Sequence, residues 1–141
     1  MSGCAFCALA SGTVERTLVH EDERAVVVRD LQPVNPAHAL VLPKGHSVGL
    51  ADLDEETAAH LLTRGMRAAA ALRRSPVRCD GVNIWVADGE AAGQEVLHFH
   101  MHVVPRFVGD PFRIVMEGGW TTPRPRVELD AVAEQIREHW K

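Results

Sequence analysis

No stretch of the 141-residue sequence is apolar for anything near the ~20 residues needed to cross a bilayer, so no membrane span is expected. The N-terminal stretch does not run from a basic segment into an apolar one, and no secretory leader is expected. Gly3 stands one position too late for the myristoylation pattern. Cysteine is scarce: Cys4, Cys7 and Cys79 make an odd number, which suits a reducing cytoplasm better than a disulfide framework. Positive charge is lacking too. A formal net charge of −4 argues against a broad basic surface for duplex nucleic acid. A nucleotide-sized anion remains possible, because backbone N–H groups and a few histidines can hold phosphate without net charge. These absences describe a soluble, cytoplasmic protein.

What is present is ordinary globular material, 46% apolar and 24% charged. The length suits one domain over residues 1–141, with a core that needs no disulfide. Residues 17–20 and 25–29 flank the polar turn Glu21-Asp22-Glu23-Arg24 and predict a hairpin. Residues 31–36 carry two prolines and an asparagine and predict a loop, followed by a strand over 37–42 that Pro43-Lys44-Gly45 stops. Ala58, Leu61, Leu62, Met66, Ala69 and Leu72 recur at helical spacing behind Asp52 or Asp54 as N-cap, up to Arg73-Arg74-Ser75-Pro76. Residues 81–87 and 97–105 predict two more strands, joined by the glycine-rich stretch 88–95. Residues 111–126 predict an irregular tail, and Leu129, Val132, Ala133, Ile136 and Trp140 a last amphipathic helix. Strands grouped around one long helix give an α+β class.

The chemistry concentrates in His98-Phe99-His100-Met101-His102. On a strand, alternate residues share a face, so the three histidines project together while Phe99, Met101 and Val103 face the core. Three imidazoles on one face pack poorly, since each carries two nitrogens that need partners. The row could hold a metal through neutral imidazoles, or one histidine could be a nucleophile aided by its neighbours. Gly89, Gly93 and Gln94 lie just upstream, and a glycine-rich turn lets backbone N–H groups approach phosphate oxygens. The loop tips the balance toward phosphorus chemistry.

The stretch AGQEVLHFHMHVVPR, residues 92–106, resembles the signature of the histidine-triad (HIT) family. Cys4-Ala5-Phe6-Cys7 resembles the N-terminal cysteine pair of its zinc-containing branch. Asp30-Leu31-Gln32-Pro33, Pro36-Ala37-His38, the run Leu40 to His46 and Asp52-Leu53 are similar to further family segments, in order and at ordinary spacing. The resemblance covers residues 4–106, leaving 107–141 as a tail and helix. It implies a HIT-like fold, an α+β domain with an antiparallel sheet of about five strands, one long helix and a C-terminal helix. It also implies a homodimer.

Carried over residue by residue, the resemblance implies that His100 attacks the α-phosphorus of a nucleotide and forms a covalent nucleotidyl-histidine. His102 would serve the phosphate and leaving group, with His38 beside it. Gly93, Gln94 and Glu95 would hold phosphate oxygens, and Asp30 the ribose hydroxyls. Val26, Val27, Leu40 and Leu42 would flank the base. Trp85 and Trp120 are read first as packing residues, and His20, His60 and His139 as surface residues. Glu95 and Ala87 depart from the family pattern of Ser or Thr and of Asn or Gln, which bears on the leaving group. A C-x-x-C pair alone could be redox-active or merely structural. The zinc-bearing relatives, however, draw four ligands from positions matching Cys4, Cys7, His46 and His98, which implies a structural Zn2+ in a closed site. The expected substrates are nucleoside phosphoramidates or dinucleoside polyphosphates. A nucleotidyltransferase or phosphorylase, a nucleotide-binding scaffold and a zinc module are the rival readings.

Overall fold

The computed structural model describes residues 3–141, so Met1 and Ser2, the start of the N-terminal segment, lie outside the described residues. The chain runs α1 (Ala5–Ser11), β1 (Leu18–Glu21), β2 (Ala25–Arg29), β3 (Ala39–Pro43), α2 (Glu55–Arg74), β4 (Gly81–Val86), β5 (Met101–Arg106) and α3 (Arg126–His139). The five strands form one antiparallel sheet in the order β1-β2-β3-β5-β4. α2 starts at an Asp54 cap whose carboxylate accepts from the Thr57 N–H at 2.8 Å, and it ends at Ser75 ahead of Pro76. No helix is long and apolar enough to cross a membrane among the described residues.

Alternation along the strands splits the core in two. Ala25, Val27, Ala39, Val41, Met101 and Val103 face α2 through Leu61, Ala68 and Ala69. Val26, Val28, Leu40 and Leu42 face the other way, onto Ala10, Phe6 and Leu9 of α1. Gly65 is where α2 comes closest to the sheet: a Cβ there would lie 2.9 Å from the Met101 Sδ. The missing side chain, a small loss for helix propensity, is what lets the helix seat.

Three expectations need correction. The predicted strand 97–105 begins only at Met101, because the backbone of Phe99 donates to the Ser47 carbonyl (2.6 Å) beyond the end of β3. Ala37 is not strand but left-handed, with φ 69°, turning the chain immediately before His38. Pro43, expected as a stop, pairs with Ala25 as the last residue of β3. The C-terminal helix forms as expected, yet its apolar side is uncovered: Leu129, Val132, Ile136 and Trp140 are all exposed.

Candidate functional site

The side chains of β3, β4 and β5 on the sheet face away from α2 meet at the predicted histidines. His98 and His100 lie on the run-in to β5 and His102 within it. His102 is flanked by its cross-strand partners, Leu40 on β3 and Trp85 on β4. Phe99 and Met101 point into the α2 core, so the alternation reaches beyond the ladder.

Hydrogen bonding fixes which nitrogen of each ring carries its proton. His100 is buried, and its Nδ1–H donates to the His98 carbonyl at 2.8 Å, which leaves the Nε2 lone pair free. The His98 ring itself donates from Nε2 to the Pro43 carbonyl (3.1 Å) and turns Nδ1 toward the cysteines. Val34 N–H donates to His38 Nδ1 at 3.3 Å, so His38 donates from Nε2 to His102 Nδ1 at 2.9 Å. The Asp30 carboxylate stands 3.6 Å from His38 Nδ1. Burial holds the proton affinity of His102 down to a pKa of about 4, with the neighbouring His100 and His38 adding to the shift. Burial lowers His38 too, against the opposing pull of Asp30.

These groups open onto a cavity of about 530 Å³, within the range of small-molecule sites. Phe6, Leu9, Leu31, Val34, Leu40 and Trp85 make its apolar part, and His38, His100, His102, Asp30, Gly93 and Glu95 its polar part. Phe6 meets the His100 ring edge-on at 5.0 Å. Of the four residues expected beside a base, only Leu40 lines the cavity. Val26 and Leu42 are sealed under α1 and Val27 under α2, because the strand register turns them inward. Gln94 also departs from expectation. Its Oε1 accepts from Gly89 N–H (2.8 Å), and its Nε2 donates to the Val48 and Val96 carbonyls (2.7 and 3.1 Å). The amide is spent on bracing the glycine loop. Among the described residues, the backbone N–H groups of Glu95 and Val96 have no protein acceptor, and both residues line the cavity.

The second cluster is the cysteine–histidine set. Cys7 Sγ lies 3.2 Å from His46 Nδ1 and 3.4 Å from His98 Nδ1, and Cys4 Sγ lies 3.6 Å from the same nitrogen. All four ligand atoms fall within 4.8 Å of one another. Tetrahedral zinc with ordinary bond lengths sets sulfur and nitrogen ligands about 3.5 Å apart, so the donor set fits that ion in chemistry and spacing. The three cysteines are free thiols. Cys4 also caps α1, accepting from Cys7 N–H at 3.4 Å.

Several residues of the site escaped the sequence reading. Phe6 sits between the two cysteines in sequence, and that spacing was the available signal. Trp85, read as packing, stacks on His102, and the alternation of Val82, Ile84 and Val86 against Asn83 and Trp85 was the available signal. Asn35, Arg106, Asp110 and Phe112 form a brace behind the site in which Asn35 and Asp110 are buried, and only Arg106 falls in a stretch that the sequence reading singled out. Trp120 is exposed and takes no part. His60, expected at the surface, is half-buried against Asp22 and Arg64.

Comparison with known proteins identifies this architecture. The sequence matches the HIT domain over residues 11–109. It is 37% identical over 111 residues to a HIT-like protein of Mycobacterium tuberculosis, covering 79% of this chain and 76% of the relative. A HIT family protein from Bacillus anthracis superposes with a TM-score of 0.89 at 30% identity, over 99% of each chain. A zinc-bound histidine triad family protein from Mycobacterium smegmatis matches at 0.75 with 37% identity, over 98% of each.

Proposed function

The chain belongs to the HIT family, and from that premise we propose that it hydrolyses nucleotides at the α-phosphorus through a covalent nucleotidyl-His100. The observation that carries this reading is the His100 hydrogen bond: with Nδ1–H fixed on the His98 carbonyl, the buried ring turns its Nε2 to the cavity as the nucleophile. Nucleoside phosphoramidates and dinucleoside polyphosphates are the proposed substrates. The apolar half of the cavity suits a base, Asp30 a ribose hydroxyl, and the unpaired N–H groups of Glu95 and Val96 the phosphate oxygens that gain charge in the transition state.

His38 and His102 act as one unit. A bound phosphate anion favours the charged form of the pair, so substrate brings one proton onto it. As His100 Nε2 forms the bond to phosphorus, the leaving group departs with its electron pair and takes that proton from His102. Water then attacks the phosphorus, forming an O–P bond as the P–Nε2 bond breaks and its electron pair returns to His100, and a proton of the water passes to His102. The nucleoside monophosphate leaves and the site ends as it began.

Cys4, Cys7, His46 and His98 would hold a structural zinc ion, which supplies a cross-link between α1 and the sheet and no group to the reaction. A cytoplasmic location suits the free thiols, and a homodimer suits the bare apolar side of α3.

The test is a product-resolved assay on adenosine and guanosine phosphoramidates and dinucleoside polyphosphates, with and without inorganic phosphate. The wild type releases nucleoside monophosphate, phosphate leaves the product unchanged, and His100→Ala loses at least about a thousandfold in kcat. Wild-type turnover by His100→Ala contradicts the mechanism. A nucleoside diphosphate product in phosphate contradicts hydrolysis and indicates phosphorolysis.

A further inference from the structure

His102 has a single side-chain hydrogen bond, to His38, and one such bond leaves an imidazole able to tilt about it. What holds its plane is aromatic. Trp85 lies on the His102 ring with centroids 4.7 Å apart and planes 17° from parallel. The same indole lies 5.6 Å from Phe112 and nearly parallel to it, at 10°. Offset stacking at these distances is favourable and directional, so each ring restrains the tilt of the next.

The outer end of the stack is fixed to the frame. The Arg106 guanidinium covers the Phe112 ring at 4.6 Å, and Arg106 also donates to the Phe112 carbonyl at 2.8 Å. Arg106 is itself forked onto Asp110 at 2.7 and 2.9 Å. Asp110 is fully buried and accepts further from Asn35 and from Phe107 N–H. None of the brace residues lines the cavity; the brace reaches the site where the Asn35 carbonyl accepts from His38 N–H at 3.1 Å, and through the stack of Phe112, Trp85 and His102.

We propose that Trp85, braced by Phe112, is a positioning residue that clamps the face of His102 and aims its Nε2 edge at the leaving atom. The proposal rests on the reading of His102 as proton donor to the leaving group. Trp85 also lines the cavity and lies 6.1 Å from the His38 ring, but it carries no acid or base suited to that role and bears on proton transfer through the imidazoles. Its contribution therefore scales with how much protonation the leaving group needs. An alkylamine cannot depart unprotonated, whereas 4-nitrophenolate can. A displacement of the donor by about 1 Å is enough to cost on the order of a hundredfold in a step that depends on it.

The experiment compares an adenosine 5′-phosphoramidate bearing an alkylamine with adenosine 5′-(4-nitrophenyl) phosphate, on zinc-replete protein. Trp85→Ala should lower kcat for the phosphoramidate by about 30-fold with KM within about twofold, and change the nitrophenyl ester by less than about threefold. Trp85→Phe, which keeps a stackable ring, should recover most of the loss. In a His102→Ala background, Trp85→Ala should cost nothing more, since the two act as one element. Phe112→Ala leaves Trp85 in place and should show the same selectivity at a smaller scale, so it carries the test if Trp85→Ala does not fold. Equal losses on both substrates, additive losses with His102→Ala, or no loss at all would overturn the proposal. Failure of the underlying reading shows separately, as His100→Ala retaining turnover of either substrate.

Discussion

At the scale of single residues, hydrogen bonds set the orientation of the imidazoles of the site. His100, His98 and His38 each give one N–H to a fixed acceptor, so each ring presents a defined lone pair or proton elsewhere. His102 has the most strongly perturbed of these rings, its pKa held near 4 by burial. The sign of the linkage follows. The unfolded chain takes up the His102 proton near pH 6.5, whereas the folded protein refuses it until about pH 4. Stability is therefore full above pH 6.5 and falls as the pH drops through that window. Denaturant unfolding at pH 7 and pH 4.5 should show His102→Gln losing about 2 kcal/mol less than the wild type over that change. Equal losses would contradict the assignment. That His98, His100 and His102 share one region was legible in the sequence because alternation on a strand is local, whereas His38 and His46 were picked out only by the family resemblance. The role of the Gln94 side chain in bracing its loop was not legible, because its Oε1 and Nε2 find partners 5 and 46 residues away. The Asn35–Asp110 contact spans 75 residues, beyond any local pattern.

At the scale of elements, α1 is the piece that depends most on chemistry rather than packing. It has seven residues, too few to be stable alone, and only Ala10 among them is fully buried. Its capping residue and its first turn carry Cys4 and Cys7, so a metal held with His46 and His98 would fasten it to the sheet at the point where Phe6 covers His100. Cys4→Ser and Cys7→Ser should each lose the bound zinc equivalent. Hydrogen exchange should then speed up across α1 and leave α2 unchanged. Retention of a full zinc equivalent in either variant contradicts the ligand set. The long helix was readable from its period and its Asp54 cap, while the start of β5 was not. A histidine run that continues the alternation past the end of the ladder looks like strand in sequence, and only the Phe99–Ser47 contact shows where pairing stops.

At the scale of the whole molecule, one sheet separates an apolar face under α2 from a face shared by α1, the cavity and the cysteine–histidine cluster. The sheet order leaves β4 at an edge, and α3 carries its apolar residues in the open. Both were invisible as such in the sequence: periodicity announces an amphipathic helix but not what covers it. A homodimer should have twice the chain mass of 15.5 kDa by light scattering at micromolar concentration, and a mass equal to one chain contradicts it. The central claim concerns bonds at phosphorus, and the stereochemical course tests it most directly. Hydrolysis of a nucleotide made chiral at the α-phosphorus, followed by analysis of the monophosphate, distinguishes one displacement from two. Two in-line displacements through nucleotidyl-His100 predict retention of configuration. Inversion would mean that water attacks phosphorus directly and would contradict the account.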